Sequence, residues 1–363
     1  MRMHPSSVIC SMPHNRSSDS ISVSGICSTG GSALKEFRLD LWKPQEYTYE
    51  AAYGFMPNIH AYLHDEDDSP RKCMIIAPGG GYCMLAAHEG ELPAMEYYRM
   101  GLNVFVLTYT NDITMCVPLK RQPMEDISRA VRLVRKNAAG YNIHADKLLI
   151  CGFSAGGHVC ASLCTHFDDI TDPDPKLNAI SNRPDGAILC YPVITSGKYT
   201  HIYSMQALLG YEPTEEELEY FSLEKQVSEN TPPCFLWQAA DDFAVPVENT
   251  YLFADALREN GVPYAHYVFP RGGHGLSVAS DEMFAGWHGG EYVSEQLERA
   301  LEHIKAGTEV NMNEKRHAEL MKQFFSDEDS TPPTPPFDPS APNPFEDVHS
   351  WLMLSRIWFE RFL

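Results

Sequence analysis

Residues 148–158 read "LLICGFSAGGH": an unbroken apolar run, a serine among small residues, then two more glycines and a histidine. A short, continuous apolar run fits a strand buried on both faces, the habit of a parallel sheet covered by helices. The next stretch, "GGHVCASLCTHF" (156–167), fits a helix. Gly152-Phe153-Ser154-Ala155-Gly156 therefore reads as a sharp strand-to-helix turn. Such a turn forces its middle residue into a strained backbone, and glycines two before and two after remove side chains that would collide. The Ser154 hydroxyl is left exposed at the positive end of a helix, where developing negative charge is favoured. A glycine-rich turn alone would look similar, so the surrounding sequence decides.

Other runs of the same kind surround it: "CMIIA" (73–77), "NVFVLTY" (103–109), "GAILCYP" (186–192), "CFLWQA" (234–239) and "AHYVF" (265–269). "EFRLDLW" (36–42) and "NIHAYLH" (58–64) alternate instead, as half-buried antiparallel strands do. Helical segments lie between the runs. "MEDISRAVRLVRKNA" (124–138) puts Ile127, Ala130, Val131, Val134 and Ala138 on one stripe, and "VENTYLFADALRENG" (247–261) stops on a glycine. Strand and helix alternating in this way predict a doubly wound α/β fold, mostly parallel, with helices on both faces.

Three segments break the rhythm. Residues 1–33 are Ser-rich without hydrophobic period and are expected to form a poorly ordered tail. Residues 194–230 hold "TEEELEYFSLEKQ", with Thr214 and Glu217 at capping-box spacing, and are expected to form a small helical cap. Residues 276–347 end in "STPPTPPFDPSAPNPFED" and read as a proline-rich, extended insertion. After it, "VHSWLMLSRIWFERF" has the period of a last helix packed on the sheet.

Three further stretches each follow a predicted strand. "IIAPGGGY" (75–82) has three successive glycines, which leave backbone N–H groups unshielded and able to converge on one oxygen. It lacks the G-x-G-x-x-G and G-K-[ST] patterns of phosphate loops. "WQAADDFAVPVENT" (237–250) offers a carboxylate and "VFPRGGHGLS" (268–277) an imidazole. The chain order is then Ser154, Asp242, His274, with Asp242 preferred to Asp241 because it stands three before Val245 in D-x-x-V-P.

On "PGGGY", "GFSAGGH", "DDFAVPVEN" and "GGHG" the chain resembles α/β-hydrolases of the esterase/lipase superfamily, and within it the bacterial acetyl-xylan-esterase-like and feruloyl-esterase-like branch. The resemblance spans roughly residues 34–276 plus the last helix, and implies a single α/β-hydrolase domain over 34–363. It implies Ser154 as nucleophile, His274 as general base and then acid, and Asp242 as its orienting carboxylate. It further implies Gly80, Gly81 and the Ala155 N–H as an oxyanion hole, and no metal or organic cofactor. Pro78 stands where histidine often precedes the glycines, so the group that brackets this loop differs here. The activity implied is serine carboxylic-ester hydrolysis, with a small acyl group such as acetyl on a carbohydrate, an acylated oligosaccharide being the implied partner. A serine peptidase on the same scaffold and a catalytically silent binding module stay open as alternatives. Against the first, the 70 or so residues before "CMIIA" cannot build the β-propeller such peptidases usually carry; against the second, a binding role would not require all four stretches.

Composition narrows the rest. A net charge of −21 over 363 residues argues against nucleic acid or an anionic membrane as partner. No apolar stretch fits a signal peptide or a membrane span, so a cytoplasmic location is expected. The ten cysteines form no C-x-x-C pair and read as reduced core residues. His60, His64 and "HEGE" (88–91) lack H-E-x-x-H spacing and read as loop polarity rather than metal ligands, with Glu89 and Glu91 alternatively supporting the glycine loop. His158, one helical turn after Ser154, reads as a helix brace. Tyr82, Tyr191, Trp237 and Phe243 fall at predicted strand ends, where flat faces suit sugar rings or a feruloyl-type group and equally suit packing. Oligomeric state, homo-oligomer included, is not encoded in any of these features.

Overall fold

Six of the apolar runs become the parallel strands of one sheet. In chain order the strands are β1 (Ser22–Val23), β2 (Leu34–Asp40), β3 (Asn58–His64), β4 (Arg71–Ala77), β5 (Asn103–Thr108), β6 (Ile143–Phe153), β7 (Gly186–Cys190), β8 (Cys234–Ala239) and β9 (Tyr264–Phe269). Their spatial order is β1-β2-β3-β5-β4-β6-β7-β8-β9. The β1–β2, β2–β3 and β3–β5 pairs are antiparallel; every pair from β5 to β9 is parallel. The structure is a computed structural model and describes residues 22–23, 34–65, 69–287, 289–310, 312–325, 343 and 345–363. The expected tail over 1–33 lies outside the described residues except for Ser22–Val23, as do Cys10, Cys27 and most of the proline-rich stretch.

Neighbouring residues show why the second half of β6, from Leu148 to Phe153, is apolar throughout. A Cβ on Gly152 would strike Cys160 of the helix Ala155–His166, while the Phe153 ring packs edge-on against Trp351 of the last helix, Trp351–Phe362. Alternate side chains thus enter two different helical layers, and neither face meets water. The helix Gln122–Lys136 lies beside Ala155–His166 in one layer. In the other, Glu91–Arg99 meets the last helix through Tyr97, whose hydroxyl lies 2.8 Å from Ser355 Oγ.

Two strands depart from the sequence expectation. β9 is half-exposed rather than buried, because it is the edge of the sheet. β3 is buried on both faces rather than one: Tyr292 covers its outer side, stacked on His60 at 3.7 Å and with its hydroxyl 2.9 Å from that of Tyr62.

Tyr292 belongs to the segment read as an extended insertion, and that reading is corrected. Residues 276–325 contain the helices Glu295–Ala306 and Glu314–Phe325, which bury Ala300, Ile304 and Leu320 against Ile113. Arg38 pairs with Glu295 at 2.7 Å, and Gln296 accepts the Asn111 N–H at 2.9 Å. An amphipathic period in "EQLERALEHIKA" outweighs the proline run that follows it. Residues 194–230 contain the helices Ile202–Leu209 and Glu215–Tyr220, the second opened by the Thr214–Glu217 capping box. The eight described cysteines are all free, and no helix among the described residues is long and apolar enough to cross a membrane.

Candidate active site

Ser154 stands between the end of β6 and the first residue of the helix Ala155–His166, at φ 52° and ψ −118°. This left-handed backbone is costly for a serine and is held from three sides. The Ser154 N–H donates to the Cys190 carbonyl at 3.0 Å, and its carbonyl accepts from Val193 at 3.0 Å and His158 at 3.2 Å. Gly156 permits the turn to sit this low, since a Cβ there would overlap the carbonyl oxygen of Ala77. Only 6% of Ser154 is exposed.

The imidazole of His274 arrives from the loop after β9. Its Nε2 lies 2.9 Å from Ser154 Oγ and its Nδ1 lies 2.7 Å from Asp242 Oδ2. A carboxylate only accepts, so Nδ1 carries the proton and, in the neutral ring, Nε2 accepts from the serine hydroxyl. Asp242 is fixed in turn: Oδ1 accepts the N–H groups of Ala244 at 3.0 Å and Val245 at 2.9 Å, and Oδ2 accepts from Gln238 Nε2 at 3.0 Å. Its side chain is fully buried. Asp241 points the other way and accepts the Gly273 N–H at 2.9 Å, holding the histidine loop.

Next to the serine, the glycine loop after β4 is braced by Glu89. Its Oε2 accepts the Gly79 N–H at 2.7 Å, and its Oε1 accepts the Tyr191 hydroxyl at 2.7 Å. The Tyr191 oxygen accepts the Ser277 N–H at 2.9 Å, so a buried carboxylate links the glycine loop to the histidine loop. Tyr109 donates to the Pro78 carbonyl at 2.7 Å. These two groups hold the loop where a histidine would otherwise precede it. Glu89 is therefore not loop polarity, whereas Glu91 lies beside Gly290, away from the glycine loop. Gly80 sits at φ 124°, and a Cβ on it would overlap the Met84 carbonyl. Among the described residues none accepts the N–H of Gly80, Gly81 or Ala155.

The aromatic residues divide. Tyr82, Tyr191 and Trp237 are each about 1% exposed and offer no face to a substrate, which corrects the sequence expectation. Tyr82 donates to His158 Nδ1 at 2.8 Å, Tyr191 packs edge-on to His274 at 4.9 Å, and Trp237 stacks on Trp351 at 5.3 Å. Phe243, 83% exposed, lies beside Gly273 and keeps an open face. Above Ser154 and His274 opens a cavity of about 430 Å³, whose walls include Gly80, Gly81, Met115, His201, Tyr203 and Arg316. The last four were missed by sequence reasoning. Arg316 comes from the helix Glu314–Phe325, where amphipathic spacing was the only available signal. Among the described residues no cluster of His, Cys, Asp and Glu could hold a metal ion.

His158 is wholly buried, its Nε2 3.1 Å from the Phe221 carbonyl of the cap. Burial lowers its pKa from 6.5 to about 4. With the folded value below the unfolded one, the neutral ring's contribution is complete above pH 6.5 and is lost as pH falls from 6.5 to about 4. That window amounts to on the order of 3 kcal/mol. Urea midpoints measured across it should fall steadily, and His158→Gln should flatten the slope even if it lowers stability throughout. An equal slope in the variant would assign the acid sensitivity elsewhere.

A mostly parallel sheet with Ser154, Asp242 and His274 at its carboxyl edge, in that chain order, defines an α/β-hydrolase. The chain belongs to the BD-FAE family, which matches residues 59–257. It is 64% identical over 267 residues to endo-1,4-beta-xylanase B of Butyrivibrio fibrisolvens, covering 74% of this chain and 42% of that one. It is 31% identical over 218 residues to an acetylxylan esterase of Xylanibacter ruminicola, covering 58% of this chain and 42% of that one. The chain thus spans about two fifths of the length of these relatives. The crystal structure of an acetyl ester-xyloside bifunctional hydrolase from Caldicellulosiruptor lactoaceticus is similar with a TM-score of 0.63 at 34% identity, covering 79% of this chain and 100% of that one.

Proposed function

We propose that the chain is a serine carboxylic-ester hydrolase that removes acetyl or another small acyl group from a carbohydrate. The observation that carries this reading is the 2.9 Å contact of Ser154 Oγ with His274 Nε2, beside backbone N–H groups that no described residue engages. Ser154 Oγ attacks the ester carbonyl while its proton passes to Nε2. The carbonyl oxygen gathers negative charge, and the N–H groups of Gly80, Gly81 and Ala155 receive it. Asp242 stabilises the imidazolium through Nδ1–H. The proton then moves from Nε2 to the departing alcohol oxygen as the C–O bond breaks, leaving an acyl-serine. Water attacks next, giving its proton to Nε2, and the acid leaves as the proton returns to Oγ. Every proton is carried by His274, and no step calls on a cofactor.

The names of the acetylxylan esterase and the acetyl ester-xyloside hydrolase support an acetyl group on a xylose-based substrate. Turnover of p-nitrophenyl acetate compared with an aminoacyl-p-nitroanilide tests the class. The ester should be hydrolysed and the anilide should not. Comparable turnover of the anilide would favour a peptidase, and turnover of neither would favour a binding module.

A further inference from the structure

The cavity over Ser154 does not end at its own rim. A second cavity of about 470 Å³ adjoins it, and the two share Met115, Tyr203 and Arg316 as a common wall. Taken together they are a cleft whose inner half is lined by Ser154 and whose outer half is lined by the helices Ile202–Leu209 and Glu314–Phe325 and by Tyr211. One wall of this half, the helix Glu314–Phe325, lies beyond the residues matched by the family, while the facing wall, with Tyr203, Gln206 and Tyr211, lies within them.

The lining has a definite chemistry. Tyr203 is 64% and Tyr211 52% exposed, so each offers a large flat face on the cavity wall. The same cavity is lined by Gln206, Asn313, Lys315 and Glu319, which carry both donors and acceptors. Arg316, at the junction of the two halves, is held by two bonds to the Ile113 carbonyl, from Nε at 3.1 Å and Nη2 at 2.8 Å. It therefore meets a ligand in one fixed orientation. Flat aromatic faces together with mixed donors and acceptors match a pyranose chain, which presents C–H faces and a girdle of hydroxyls. They match a fatty acyl chain poorly, since that would take the Lys315–Glu319 and Arg316–Glu319 pairs out of water without adding a hydrogen bond.

We infer that the outer half of this cleft is an oligosaccharide subsite on the leaving-alcohol side, which binds sugar units adjacent to the acylated one. The inference rests on the ester-hydrolase reading, because it assigns the inner half to the acyl group and its sugar. It makes the enzyme selective for acetylated oligosaccharides over acetylated monosaccharides.

The test compares kcat/KM for acetylated xylose, xylobiose and xylotriose. The wild-type chain should prefer the trimer, and Tyr211→Ala should cut the trimer-to-monomer ratio by about three- to tenfold. Calorimetric titration of unacetylated xylotriose into Ser154→Ala should show binding that the added Tyr211→Ala change weakens to a similar degree. A ratio near one in the wild-type chain, or a ratio untouched by Tyr211→Ala together with unchanged xylotriose binding, would overturn the subsite. Turnover of p-nitrophenyl acetate separates the two failures: if it persists while the ratio is near one, only the subsite is wrong, and if it is absent, the ester-hydrolase reading falls first.

Discussion

Ser154→Ala should lower kcat on p-nitrophenyl acetate by about a million-fold, because losing the nucleophile of such a unit costs about as much as losing the whole unit. The substitution deletes one oxygen and leaves the Cβ in place. The backbone bonds to Cys190, Val193 and His158 do not involve the side chain and persist, so the turn at φ 52° keeps its supports. The melting temperature should stay level or rise slightly, as it often does when a functional group is removed from a strained site. Residual turnover should come from water polarised beside His274 and from the N–H groups of the glycine loop. A fluorophosphonate should add one label to the wild-type chain, on the peptide carrying Ser154, and none to the variant. Ordinary turnover by the variant, or a label elsewhere, would remove Ser154 from the chemistry and with it the reading of the whole cavity.

The serine, the glycine loop and both partners of the serine were legible because each is a local event. Glycine spacing, a strand's apolar run and a D-x-x-V-P turn are decided within ten residues or so, and the sheet orders them in space without further information. The buried tyrosines were not legible for the opposite reason. Lying at the end of a strand places a residue near the carboxyl edge but does not say which way its ring turns. That depends on partners distant in sequence: Glu89 and Ser277 for Tyr191, His158 for Tyr82, Trp351 for Trp237. Glu89 shows both sides of this limit. Its position just after the glycines marked it as a possible support, but its second bond, to Tyr191, needed the fold. The helix Glu314–Phe325 carried a readable amphipathic period. The dense prolines after it drew the whole segment toward an extended reading, and nothing in the sequence reveals that its Arg316 reaches the Ile113 carbonyl beside the cavity.

Asp242→Asn should reduce kcat by on the order of ten-thousand-fold, while Asp241→Asn should change it by less than about threefold. The two carboxylates are adjacent in sequence, so charge and composition are the same in both variants and only geometry differs. At position 242 the asparagine oxygen is drawn to the two backbone donors, Ala244 and Val245, which leaves the amide NH2 facing His274. An NH2 group cannot accept the proton on Nδ1. The imidazole must then carry its proton on Nε2 and accept at Nδ1, so the nitrogen facing Ser154 Oγ becomes a donor and can no longer take the hydroxyl proton. Distances would stay nearly the same while the chemistry stops. At position 241 the asparagine oxygen still accepts the Gly273 N–H, and the histidine loop keeps its tether. Steady-state kinetics on both variants, with thermal melts to show that each is folded, decide the matter. If the two lose activity equally, or if Asp241→Asn loses more, the imidazole is not oriented by Asp242 and the proton path from Ser154 through His274 must be redrawn.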